Sequence, residues 1–286
     1  MSMTTPAHHS ERSIICIGRK ETDPAAVRFA ELVTRALGME LILLHVTRSK
    51  TANEQEAAVL ASTLSYLNHE PDQVLQVSGK FKHVILEELD PEAHELVILG
   101  TSEKPGPPGK SRLSRIVAEQ IADSVLLIRN PPTEIKRILL CTGGHPASNT
   151  VLERGLALAS CCGAEVTILH VASSSPSMYT GLKALDESLA DILQRETPLA
   201  QHLREAAARA KQAGIRASLE LRHGVVVEEI LRAAELGNYD LIVIGAPEPR
   251  RLLTRLTLGR IGPQLLTSAQ ASVFIARTDP SSPASA

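Results

Sequence analysis

Aromatic residues are nearly missing from this chain: 2 % of its 286 residues, with no tryptophan, three tyrosines and three phenylalanines. Base-stacking platforms and aromatic cages for sugars or methylated lysines are therefore poorly supplied. An excess of charge of either sign is missing too. Lys and Arg number 30 against 32 Asp and Glu, a formal net charge of −2. That balance argues against a protein that coats nucleic acid or a polyanionic surface. No apolar run approaches the ~18–20 residues of a membrane span, and the opening MSMTTPAHHSERS has no apolar signal core. Four cysteines without framework spacing fit a reducing compartment, so a cytoplasmic protein is expected.

What is present is enough apolar residue, 43 %, for real cores, and enough length for two domains at roughly 100–200 residues each. An internal repeat organises the chain. Residues 12–46 align without gaps with 137–171, matching Arg12/Arg137, Cys16/Cys141, Gly18/Gly143, Gly38/Gly163, Glu40/Glu165, Leu44/Leu169, His45/His170 and Val46/Val171. Residues 79–100 then align with 224–245, and the register continues to Glu103/Glu248 and Arg115-Ile116/Arg260-Ile261. The second copy is longer between these blocks. A period this long means duplicated domains rather than solenoid units. The boundaries read as 12–130 and 136–278, with NPPTE at 130–134 as a proline-stiffened linker and both tails disordered.

Each copy alternates short apolar strands with helices. In the first, strands are expected at 13–17, 41–46, 74–77, 96–99 and 125–128, and helices at 24–37, 54–67, 80–89 and 112–122. In the second, strands are expected at 138–142, 166–171, 217–221, 241–244 and 273–276, and helices at 147–162, 226–236 and 256–268, with a long helical region at 182–213 that Pro198 divides. Continuous apolar strands separated by helices predict a parallel sheet covered on both faces. The fold class is therefore α/β, as two doubly wound five-stranded parallel-sheet domains. Ligands in such sheets bind outside the carboxyl ends of the strands. That edge brings residues 18–23, 47–51, 79–80 and 100–111 together in copy 1. In copy 2 it gathers 143–147, 172–180, 224–225 and 245–254.

The segments LILLHV and VTILHV, GKFKHVILEEL and GVVVEEILRAA, and ELVILG and DLIVIG resemble the universal stress protein family in order and spacing. The closing segments SRIVAEQIADSVLLIR and GRIGPQLLTSAQASVFIAR fit as well. The resemblance runs from about Ser13 to Arg277 and is to the tandem form, with two fused domains. It implies an adenine nucleotide alpha hydrolase-like, Rossmann-like fold. Relatives commonly pair through their last strands, so 125–129 and 273–277 are expected to pair antiparallel as an internal pseudo-dimer, with a homodimer left open.

Family members that bind ATP carry an Asp after the first strand and G-x2-G-x9-G-[ST] after the fourth. The glycines turn backbone N–H groups toward phosphate, and the helix that follows favours anions. Both copies depart from this pattern. Gly18 and Gly143 stand at the Asp position. Gly100 and Gly245 keep the first glycine, but Glu103 and Glu248 replace the second. The closing pair reads Ser114-Arg115 and Gly259-Arg260, with each spacing one residue longer than the motif. These eight positions, Gly18, Gly100, Ser114, Arg115, Gly143, Gly245, Gly259 and Arg260, form the candidate nucleotide or anion site, degraded in both halves. The two Arg could hold an anion, pair with the two Glu, or form a solvated rim.

The expected function is a non-enzymatic stress-response or regulatory protein that binds a ligand or protein partner. No resident cofactor is expected, with ATP or AMP as the alternative ligand of a nucleotide sensor. A weak nucleotidase and an apolar small-molecule carrier are further alternatives. No catalytic or metal-binding set shows at recognisable spacing. Cys16 and Cys141 read as small buried hydrophobes, and His45 and His170 as structural residues. GPPGKS at 106–111 reads as a surface loop more readily than as an anion nest, because Lys104 stands where a phosphate loop needs glycine. The insertion at 177–197 places Leu182, Leu185, Leu189 and Leu193 on one helical face. That face suits packing on its own domain, or a lid or partner surface.

Overall fold

Runs of Ile, Leu and Val too short for helices become ten strands. In the computed structural model, described over residues 11–18, 20–48, 53–88, 95–100, 121, 123–144, 149–172, 187–246 and 261–277, these strands form one continuous sheet. The first half contributes β1 (Arg12–Ile17), β2 (Glu40–Thr47), β3 (Gln73–Ser78), β4 (Leu96–Gly100) and β5 (Ser124–Ile128). The second contributes β6 (Arg137–Thr142), β7 (Glu165–Ala172), β8 (Ala217–His223), β9 (Leu241–Ala246) and β10 (Ser272–Arg277). The order is β3-β2-β1-β4-β5-β10-β9-β6-β7-β8, so one half mirrors the other. Pairing is parallel within each half. At the centre β5 and β10 run antiparallel, with Leu126 opposite Phe274, which is the expected pairing of the two last strands. The two expected five-stranded sheets are thus a single sheet, and each half keeps only its outer edge unpaired.

The seam is locked by reciprocal hydrogen bonds. Ser272 Oγ accepts the Arg129 N–H at 3.1 Å and donates to the Arg129 carbonyl at 3.2 Å, while Ser124 Oγ accepts the Arg277 N–H at 3.1 Å. The buried Arg129 guanidinium crosses the seam to donate to the carbonyls of Ala269 at 2.5 Å and Leu266 at 3.2 Å. It thereby satisfies carbonyls at and just beyond the end of helix Ile261–Ser268, which has no intrahelical donors for them.

Helices cover both faces. Asp23 caps α1 (Pro24–Ala36) by accepting from Ala25, and Pro24 sits in the first turn, where its missing N–H costs nothing. Asn53 caps α2 (Glu54–Tyr66). The helix expected over 80–89 is α3 (Phe81–His83) running into one wider π turn at Val84–Glu88. In the second half α4 (Asn149–Cys162) faces the same core as α1, which holds Ile15, Val33, Ile138 and Leu152 together. Gly155 allows this approach, because a Cβ there would lie 2.4 Å from Leu140 Cδ1. The helical region expected over 182–213, with its break at Pro198, is within the described residues α5 (Leu189–Leu193) and α6 (Pro198–Gln212). Pro198 forces Thr197 out of the helical region, and the Thr197 hydroxyl then caps the new helix. The other described helices are α7 (Val226–Leu236) and α8 (Ile261–Ser268). The helix expected over 112–122 lies almost wholly outside the described residues. No described helix is long and apolar enough to cross a membrane.

Candidate functional site

The chain leaves the first pair of strands on one side and returns on the other at two places, between β1 and β4 and between β6 and β9. At such switch points the connections diverge and leave a crevice at the carboxyl edge. Glycines end or follow these four strands: Gly18 after β1, Gly100 in β4, Gly143 after β6 and Gly245 in β9. Ser114, Arg115, Gly259 and Arg260, the remaining candidate residues, lie outside the described residues, as do Glu103 and Glu248. The structure therefore brings Gly18 with Gly100, and Gly143 with Gly245, to the two crevices.

The two crevices differ. At Gly18 an added Cβ would make only an ordinary 3.6 Å contact with Phe81, and at Gly100 a 3.8 Å contact with Ala26. At Gly245 it would lie 2.6 Å from Val151 Cγ2, the residue that aligns with Ala26. Gly144 has φ of +75°, and a Cβ there would lie 2.4 Å from Leu199 Cδ1 and 3.1 Å from His170 Cε1. The second crevice is thus lined by side chains packed directly on its backbone.

Polar groups follow the same division. In the second half, Thr142 Oγ1 shares a 2.7 Å hydrogen bond with His202 Nε2 and accepts the Gly144 N–H at 3.2 Å. His170 Nδ1 donates to the Thr142 carbonyl at 3.0 Å, which places that ring's proton on Nδ1. Thr142 against His202 has the composition of a nucleophile–base pair, which sequence spacing did not show. Its geometry is that of a structural lock: Thr142 is 6 % exposed and its hydroxyl already accepts from Gly144.

In the first half Ile17 stands where Thr142 does, opposite His45 in the sheet. His45 is 1 % exposed, and among the described residues neither ring nitrogen has a hydrogen-bond partner. Burial pulls its pKa down, partly opposed by the negative charge of Glu56, so the ring is neutral near pH 7 and offers one donor and one acceptor. An unsatisfied buried polar group costs about 1–3 kcal/mol. Glu56 is itself buried on α2, where Oε1 accepts the Arg48 N–H at 2.9 Å. Counted from the helix caps Asn53 and Thr197, Glu56 stands where α6 has Ala200, and exposed Gln55 and Ala58 stand where α6 has Leu199 and His202. The repeated His45 and His170 were visible in sequence. Their opposite fates, and the parts played by Glu56, Thr142 and His202, were not.

A family model described as the universal stress protein family matches residues 134–277. The chain belongs to the universal stress protein family. A universal stress protein of Methanocaldococcus jannaschii is 26 % identical over 151 residues, 53 % of this chain and 87 % of that protein. Among solved structures, a functionally unknown protein from Pseudomonas aeruginosa PAO1 superposes with a TM-score of 0.62 at 18 % identity, covering 96 % of this chain and 95 % of its own. A universal stress protein from Archaeoglobus fulgidus DSM 4304 superposes with a TM-score of 0.61 at 14 % identity, covering 92 % and 98 %. At these identities the likeness shows a universal stress protein fold across nearly the whole chain, and only the fold.

Proposed function

We propose that this chain is a non-enzymatic regulatory protein made of two universal stress protein domains, 12–130 and 136–278, that works by binding a small ligand at the carboxyl edge of its sheet. The second domain carries an insertion near 177–197, within which α5 (Leu189–Leu193) is described. The observation behind this reading is the orphaned pair of nitrogens on His45, which lies opposite Ile17, one residue before Gly18. A buried neutral imidazole with a free donor and a free acceptor suits a ligand with a polar edge. A second reading, an adenine-nucleotide sensor, draws on the same observation, because a nucleobase edge offers adjacent donor and acceptor atoms. Glu103 and Glu248 favour a monophosphate over a triphosphate, since their carboxylates would repel a long polyphosphate.

Native mass spectrometry with AMP and ATP, with and without Mg²⁺, tests the reading together with phosphate release from Mg-ATP. Saturable binding without turnover is expected. Steady turnover of ATP, lost on heat denaturation, would overturn the non-enzymatic role.

A further inference from the structure

We propose that β3 is a self-complementary docking edge, on which a second copy of this chain lays its own β3 antiparallel about a two-fold axis. Assembly through this edge does not depend on ligand binding. The last strands are not available to a second copy, because β5 and β10 already pair with each other. The sheet therefore offers only its two outer strands, β3 and β8.

Among the described residues β3 pairs with β2 alone, so the far side of its backbone carries N–H and C=O groups with no strand against them. Natural edges are usually blunted by charge, proline or a bulge. The six residues of β3, QVLQVS, hold no charge, proline or glycine. Leu75 and Val77 turn to the core that holds Leu44 and Val46, while Val74 is 40 % exposed. The other edge differs. β8 carries Glu220 and Arg222, which pair with each other, and Arg222 also reaches Glu229 at 3.5 Å. Arg216, just before β8, is held by Glu165 at 2.7 Å. The charges at that edge are thus engaged within the chain.

The flanks of β3 specify the partner and its direction. Glu70 and Asp72 precede the strand and Lys80 and Lys82 follow it, all four exposed. Asp72 accepts the Leu41 N–H at 2.7 Å, but Glu70, Lys80 and Lys82 have no ion pair among the described residues. Antiparallel pairing of two β3 strands sets the acidic end of each copy against the basic end of the other. Parallel pairing would set like charges together. A two-fold axis normal to the sheet keeps every side chain on its own face. Centred on Gln76, it places Leu75 opposite Val77, Asp72 opposite Lys80 and Glu70 opposite Lys82. The contact is isologous, so it closes at two copies and doubles the ten-stranded sheet. Six paired residues make a small interface, so the dimer is weak and salt-sensitive.

Sedimentation equilibrium of the full chain, from micromolar to submillimolar concentration, tests this. Wild type should show a reversible monomer–dimer equilibrium that shifts to monomer in high salt. Glu70→Lys alone, and the double variant Lys80→Glu with Lys82→Glu, should each weaken the dimer by about tenfold. An equal mixture of these two variants should regain it, because each altered end then meets an opposite charge. Val74→Lys should also weaken the dimer, whereas Leu236→Lys, at a 71 % exposed site on α7, should not. Unchanged melting temperatures of the dilute variants would show that each still folds. A chain monomeric at every concentration, or a dimer indifferent to the β3 variants, would overturn the proposal. Failure of the mixture to regain the dimer would refute the antiparallel pairing. Growth into open polymers would refute the closed two-fold and point to β3 meeting β8.

Discussion

Replacing Arg129 by methionine should loosen the junction between the two halves. The guanidinium donates across the seam to the Ala269 and Leu266 carbonyls, and the residue is 3 % exposed. Methionine keeps most of the apolar stem but donates nothing, so two buried carbonyls lose their partner. Each such loss costs about 1–3 kcal/mol. Relief from burying a guanidinium offsets part of that, leaving a net loss of about 2–4 kcal/mol. For a chain of this length one kcal/mol moves the melting temperature by about 2 °C, so a drop of about 4–8 °C is expected by calorimetry. Arg12→Met is the control. Its side chain is 47 % exposed, and its 3.2 Å ion pair with Glu40 is worth about 0–1 kcal/mol. If Arg129→Met melts within a degree of that control, the arginine does not hold the seam and the capping argument fails.

Glu31 accepts hydrogen bonds from both N–H groups of Asn68 and His69, from the Asn68 amide at 3.0 Å and from His69 Nδ1 at 2.8 Å. Burial alone would raise its pKa, but these bonds outweigh burial and hold it below the ordinary carboxylate value. Its contribution is therefore complete above the unfolded-state pKa, near ~4.3, and is lost as pH falls through the lower folded value. Glu31→Gln should be less stable than wild type at pH 7, with the gap closing below pH ~4 in urea titrations; a gap that widens with acid would contradict the assignment. Gly144→Ala meets both a positive φ and the Leu199 side chain, whereas Gly163→Ala, at φ of +66°, meets no atom within 4 Å. The first should cost more than ~2 kcal/mol and the second about 1 kcal/mol, and equal losses in denaturant melts would refute the packing described. Burial pushes the Cys16 thiol up to about 12 and raises that of Cys141, while Cys161 is exposed. A maleimide at pH 7.5 should label Cys161 in the native protein and reach Cys16 and Cys141 only after unfolding, as read by peptide mass.

Legibility varied with the range of the interaction. SIICI, LILLHV and LVIL read as buried strands because their pattern is local, and the helix expected from residue 24 starts at Pro24, whose fixed φ suits a first turn. Pro198 likewise marked the break before α6. The π turn at Val84–Glu88 carried no local signal that separates it from a helix. At the candidate site the glycines were visible, since their positions repeat between copies. The lock between Thr142 and His202 was not, because the two residues lie 60 apart and meet only when α6 docks.

The succession of strands and helices along the chain and the duplication were settled by the amino-acid sequence alone, through hydrophobic period, turn residues and repeat; the order of the strands across the sheet was not. Which of two equivalent histidines keeps its nitrogens unused was decided only by tertiary structure. A hydrogen bond is made or lost over a fraction of an ångström, and that placement depends on how the helix caps and the bulk of Leu199, Val151 and Ala26 set each helix against the sheet.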